Sequence, residues 1–435
     1  MSTINFLRLG AVTALLAMSL TGCGAGTHSG AQSADTPKTI TVALSGDADV
    51  TGADNAALQR AADMLSPGDT LEIGPGEYIM NNALIIPVSD VTVRGVAGET
   101  VLKKKPAVTS QVVEGGDWGE DIFRVEEPEK FKEGMGVAVK DDRNSNGYGV
   151  FTATVERVSG DTVFLSERSV NDLDYVDGNA RLESTFPVLA GYGLSGVTIE
   201  GITADGNKDE NPYLLDGCRG GAIYLFDCTG CTIRNCVARN YRGDGISWQI
   251  TDRITVEHCE AHSNSGLGLH PGTGSSNSIV KDCHAHHNGG DGLFLCYRVR
   301  YGKFIGNLLE HNGRYGISIG HKDSDNYFEN NVVCNNDHSG VYFRRNPEIV
   351  GGHRNVFRNN EITDNGNAER GYGVYVKPEN LDEVFENNTI AETREGAQAT
   401  QRYGIYIEKG NSSLTSKDNS MSGHTEADYY DENSM

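Results

Sequence analysis

The chain has 435 residues, 37% hydrophobic and 22% charged, which excludes a disordered or collagen-like composition. Its net charge of −23, from 60 acidic and 37 basic residues, argues against general nucleic-acid binding and broad adhesion to anionic membranes. Fifty-four glycines against 11 prolines suit a β-rich chain with many tight turns, and no apolar run reaches the roughly 18 residues of a membrane span.

Residues 1–23 read as an export signal: Arg8 supplies the charge and Leu9–Leu20 the short apolar stretch. Leu20-Thr21-Gly22-Cys23 resembles a bacterial lipobox, so Cys23 is the expected lipidation site. Residues 24–38 are rich in Gly, Ser, Thr and Ala and read as a flexible tether. The expected location is the bacterial cell envelope, on the outer-membrane, periplasmic or extracellular side, with membrane contact only through the anchor. That compartment permits disulfides. Even so, most of the eight remaining cysteines sit in apolar patterns, and reduced, stacked core thiols are expected.

Residues 39–108 form the N-terminal cap and first coils. Asp54 to Met64 has helical spacing with an Asp at its start, and Pro67-Gly68-Asp69-Thr70 and Gly76-Glu77-Tyr78 follow. Residues 109–187 lose the pattern of the rest and read as a small β-rich insertion walling one side of a groove. Residues 188–410 carry a repeat. Asn240, Asn264, Asn288, Asn312 and Asn336 are spaced by 24, as are Gly268, Gly292, Gly316 and Gly340. Such short alternating strands bury one face only when stacked as solenoid coils about 4.8 Å apart. Each Asn then bonds the next coil. Residues 411–435 turn polar and read as a C-terminal cap or tail.

The repeat, the capping helix and the first-coil motif resemble the pectate-lyase-like superfamily. The implied class is all-β: a right-handed parallel β-helix, a three-sheet solenoid with an N-terminal capping helix and the insertion. Fold alone does not set chemistry.

Ten of the 12 histidines lie between His258 and His353. Residues 290–358 hold nine Lys/Arg against seven Asp/Glu, a local excess of +2 in an acidic chain. The register places His270, Phe294, Ser318 and Tyr342 in one outward column. On the same face it expects His270, Tyr297, Arg298, His321 and Lys322 as catalytic candidates. Arg344, Arg345, Ser247, Gln249 and Tyr342 are the substrate-binding candidates. This set suits a uronate polysaccharide: a cation neutralises the carboxylate while a base takes the C5 proton. Arg298 is the expected clamp, and His270, Tyr297 or Lys322 the base. If Arg298 and Lys322 stack, repulsion favours the neutral amine; pairing of Lys322 with Asp323 or Asp325 is the alternative.

Residues 268–330 also resemble part of the mannuronan C5-epimerase pattern, which carries Asp-Pro-His-Asp on one coil and an Arg after the next strand. Here His270-Pro271-Gly272-Thr273 keeps only the Pro in place, and Tyr297 aligns with the Arg, with Arg298 one step later. The expected function is therefore a polysaccharide lyase acting by β-elimination, as a monomer, with calcium the one cofactor left open. The alternatives are a glycoside hydrolase using Asp244, Asp291 and Asp323, and a non-catalytic polysaccharide-binding or surface solenoid. Asp244 and Asp291 lie two coils apart, near the upper edge of inverting geometry, although Gly-Asp-Gly turns often use Asp for backbone bonds. His284-Ala285-His286-His287, with His262 and Glu310, is capable of binding a metal but lies off the groove, and no metal ligand is assigned. Tyr342, Tyr375 and Tyr406 form an outward line suited to sugar stacking or to sheet stabilisation.

Overall fold

A computed structural model describes residues 36–434. The signal segment, Cys23 and all but the end of the tether lie outside the described residues. Strands of about three residues stack in register into three parallel sheets of 13, 11 and 11 strands. One coil shows the plan: Thr255–Glu257 in the first sheet, Glu260–His262 in the second, Leu269–Pro271 in the third. The middle residue of the first two strands points inward, so Val256 and Ala261 are fully buried between half-exposed neighbours. The apolar column of the interior follows from that alternation.

The corner between the first two strands is made by a single left-handed residue. His258 has φ 52° and its counterpart Asp282 has φ 51°. Short polar side chains tolerate this conformation best, which explains the Asn, Asp, His and Ser found at such corners. The Asn repeat then satisfies the buried backbone. Asn264, Asn288 and Asn312 each donate Nδ2 to the next coil's Asn Oδ1 at 3.0 Å. The same Oδ1 accepts the preceding Asn N–H at 3.1–3.2 Å. A second ladder, Asn307-Asn331-Asn360-Asn388-Asn419, occupies another corner. It continues a column of cysteines, since the N–H of Cys283 already donates to Asn307. Cys236, Cys259 and Cys283 are buried, stacked and reduced, as the apolar patterning implied. Inside, Phe304, Phe328, Phe357 and Phe385 stack with centroids 4.3–4.8 Å apart.

The capping helix α1 (Asn55–Ala62) closes the N-terminal end. Asp54 accepts the Ala57 N–H at 2.9 Å as N-cap, and Ala57, Leu58, Ala61 and Ala62 bury its inner face. The insertion is a closed six-stranded antiparallel barrel, from Thr109–Glu114 to Arg181–Glu183. It has its own core around Phe123, Phe131, Phe151 and Leu182. At the C-terminus the chain adds one more coil, Leu414–Lys417, Ser420–Ser422 and Ala427–Asp431. The outer residues of that coil are mostly exposed.

Candidate active site

The outward face of the third sheet carries the predicted column. Ser247 pairs with His270, Phe294 with Ser318, Ser318 with Tyr342, Tyr342 with Tyr375, and Tyr375 with Tyr406. The face divides into a covered part and an open part. The barrel and a long connection, residues 206–222, cover the N-terminal coils. The Tyr148 hydroxyl donates to Gln249 Oε1 at 3.1 Å, and Arg219 donates to the Tyr148 carbonyl at 2.7 Å. Ser247 Oγ and Gln249 Nε2 both donate to the Gly217 carbonyl, at 2.7 and 3.1 Å. Ser247 and Gln249 are fully buried, which corrects their assignment as substrate contacts. The connection lies so close that a Cβ at Gly217 would overlap the Asp244 carboxylate and the His270 ring.

His270 is buried in this plug. Its Nδ1 lies 2.8 Å from Asp244 Oδ2 and 3.5 Å from Ser247 Oγ. Burial pulls its pKa down, but Asp244 and then Cys296 outweigh that and raise it to about 10. Cys218 and, against burial, His270 pull the Cys296 thiol down. His270 is 3% exposed, its Nδ1 is engaged by Asp244 and its Nε2 is enclosed without a partner. That corrects its expected role as base, because the ring is covered and a polymer's C5 proton has no access to it.

The open part begins at Phe294. Arg344 packs over that ring at 4.3 Å. Its guanidinium donates to Ser318 Oγ at 2.8 Å, to the Leu295 carbonyl at 2.6 Å and to Asp323 Oδ2 at 3.1 Å. This fork is committed to the protein, so Arg344 supplies fixed charge to the floor. At the rim, three predicted residues form a stack. The Tyr297 ring lies 5.6 Å from the His321 ring, and the Arg298 guanidinium sits 4.8 Å from the Tyr297 centroid. Arg298 is exposed, while Tyr297 and His321 are half-buried. Burial, then the charge of Arg344, lowers the His321 pKa, so this imidazole stays neutral at pH 7. Lys322 follows in the same left-handed turn (φ 69°), its N–H held by the Val350 carbonyl at 2.8 Å. The two carboxylates expected as its alternative partners are engaged elsewhere: Asp323 with Arg344, and Asp325 with Arg354 at 2.7 Å. Arg345 is exposed, 3.9 Å from Glu408.

The three hydrolase candidates are all buried. Asp244 is spent on His270 and on the Leu267 N–H at 2.9 Å. Asp323 accepts the N–H groups of Val299 and Gly320 besides Arg344, and burial pushes it up to about 7. Asp291 accepts the Tyr315 N–H at 3.3 Å, its Oδ2 has no hydrogen-bond partner, and burial raises it to about 6.

Toward the C-terminal coils the tyrosine line doubles. Tyr315 stacks on Tyr342 at 4.2 Å, Tyr372 on Tyr375 at 4.4 Å, and Tyr403 meets Tyr406 at 5.0 Å. Tyr315, Tyr342, Tyr372, Tyr375, Arg370 and Lys377 line a cleft of about 320 Å³. The second column, Tyr315, Tyr372 and Tyr403, was not among the expected residues. The recurring Tyr372-Gly-Val-Tyr375 and Tyr403-Gly-Ile-Tyr406 carried the signal.

The family profile described as "right handed beta helix region" matches residues 145–272, 189–347 and 339–434. Among solved structures, the A-module of mannuronan C-5 epimerase AlgE4 of Azotobacter vinelandii is similar at 18% identity and a TM-score of 0.54, covering 87% of this chain and 94% of that one. ORF18 of Geobacillus virus E2 is similar at 13% identity and TM-score 0.54, covering 87% and 62%. The Dettilon tailspike protein is similar at 12% identity and TM-score 0.50, covering 87% and 64%. At these identities the likeness is one of fold. No curated protein sequence matches the chain.

Proposed function

We propose that this chain, which belongs to the right-handed β-helix family, is a carbohydrate-active enzyme that cleaves an acidic polysaccharide by β-elimination. The observation that carries the reading is the Arg298–Tyr297–His321 stack at the rim of an open aromatic face. Arg298 is exposed and its planar fork suits a uronate carboxylate. His321 is neutral and half-buried, as a general base must be. In the reaction His321 Nε2 or Nδ1 takes the C5 proton. The electron pair moves to form the C4–C5 double bond, and the C4–O4 bond breaks. Charge building on the carboxylate is met by Arg298, with the fixed charge of Arg344 behind it. The Tyr297 hydroxyl, or water, returns a proton to O4. Mannuronan C-5 epimerase, named in the similar structure, acts on a uronate polymer, which agrees with this substrate class.

The hydrolase alternative has one specific support: Asp291 is buried, raised and retains an unpartnered oxygen. It lacks a second carboxylate with a free oxygen, since both oxygens of Asp244 and Asp323 are engaged, and the other oxygen of Asp291 lies 3.5 Å from Arg314. Under the proposal, Arg298→Ala and His321→Ala each lose at least ~100-fold in turnover while melting at the wild-type temperature. The measurement is ultraviolet absorbance of the unsaturated product on alginate, pectin, glucuronan and glycosaminoglycan. Full activity in either variant removes that residue from the mechanism. Binding without turnover on every polymer selects the non-catalytic reading.

The proposal includes export and attachment through Cys23, supported by the charged-apolar-lipobox order of residues 1–23. Cys23→Ser should move the protein from the membrane fraction to the soluble one.

A further inference from the structure

The second sheet presents a different chemistry on its outward face. Glu260 and His262 project from one strand, His284 and His286 from the next, and Glu310 from the third. Register sets Glu260 beside His284, His262 beside His286, and His286 beside Glu310. Parallel in-register stacking therefore places imidazole against carboxylate across two strand gaps. His286 Nε2 lies 2.8 Å from Glu260 Oε1, and His284 Nε2 lies 3.0 Å from Glu310 Oε1. The His284 and His286 centroids are 4.0 Å apart, and His262 stacks on His286 at 5.0 Å with planes 6° apart. One ligand atom from each of Glu260, His284 and His286 falls within 4.8 Å of the others, and all three side chains are half-buried. Among the described residues this is the one such grouping.

We propose that Glu260, His284 and His286 form a binding site for a divalent transition metal of zinc type. Two imidazoles with one carboxylate are a donor set that borderline cations prefer, whereas calcium and magnesium take mostly oxygen ligands. Three protein ligands leave a fourth position, which Glu310 or water fills. The strands fix the Cα positions, so only rotamer adjustment is needed to bring the atoms to roughly 2.0–2.2 Å from a metal. The site is separate from the rim stack, and its failure leaves the elimination reading untouched. It joins neighbouring coils, so occupancy stabilises the solenoid by binding only the folded state.

The test uses the untagged full chain, stripped with a chelator and titrated with zinc ions alone by calorimetry. The expected result is one saturable site, a rise in melting temperature with zinc, and no competition from calcium in excess. His284→Ala/His286→Ala weakens binding at least about 100-fold, and Glu260→Gln weakens it about 10-fold. Both variants keep the metal-free melting temperature, because these side chains face outward. Cys218→Ser/Cys296→Ser binds as wild type. Absence of a saturable site, unchanged affinity in the histidine variant, loss of binding in the cysteine variant, or equal competition by calcium each overturns the proposal.

Discussion

At the scale of residues, position on a face and availability to a ligand are separate properties. His270 and His321 both project outward from the third sheet or its edge, yet the first is buried and the second half-buried. Asp244 raises the pKa of the buried His270, whereas burial and the nearby Arg344 lower that of the half-buried His321. This difference predicts a pH profile. His321 works when unprotonated, and its pKa lies below the ordinary value of about 6.5. Elimination should therefore hold through neutral pH and fall only as pH drops below about 6.5. A hydrolase that used Asp291 as its acid would behave in the opposite way. That carboxyl is protonated only below about 6, so activity would fall as pH rises through that value. Initial rates from pH 4 to 9 separate the two.

At the scale of elements, corner ladders hold the solenoid together. Replacing Asn312 by Ala removes its Nδ2 bonds to Asn336 and to the Ala285 carbonyl. It also strips the Asn288 N–H of its acceptor and leaves the Asn288 Nδ2 only the Ala261 carbonyl. Each buried group left without a partner costs about 1–3 kcal/mol. Denaturant unfolding should show that loss, while Asn330→Gly at an exposed left-handed corner stays within about 0.5 kcal/mol. The ladders also explain what was legible in the sequence. A 24-residue period fixes which residues stack, so the column from His270 to Tyr342 was readable before any coordinates. So were the helix after Asp54 and the insertion as a separate β-rich segment. The cover over Ser247, Gln249 and His270 was not. It comes from residues 206–222 and from Tyr148, which break the period, and a non-periodic segment carries no register. Closure of the barrel was hidden for the same reason: antiparallel strands joined by unequal loops leave no repeat to count. The engagement of Arg344 was also out of reach, because a long side chain folds back over two earlier coils to Phe294 and Leu295.

At the scale of the whole molecule, the barrel walls one end of an open face and the tyrosines pave the other. A linear polymer lying along that face would cross the rim stack and then the aromatic cleft. Tyr372→Ala should therefore weaken binding of long substrates several-fold with turnover at saturation nearly unchanged, since it lies coils away from His321. Steady-state KM and kcat on polymer and on short oligomers resolve this. Under the elimination proposal, the net charge of −23 would repel an acidic polymer, and the local excess of +2 over residues 290–358 would offset that repulsion by local attraction where the polymer binds. Raising salt should weaken that attraction.

The most direct test of the elimination account is the ratio of two products measured in one reaction: C4–C5 double bonds by ultraviolet absorbance, and new reducing ends. β-Elimination creates one of each per cleavage, so the account predicts a ratio of one on the polyuronate that is cut. Reducing ends formed without unsaturation would contradict it and transfer the chemistry to Asp291.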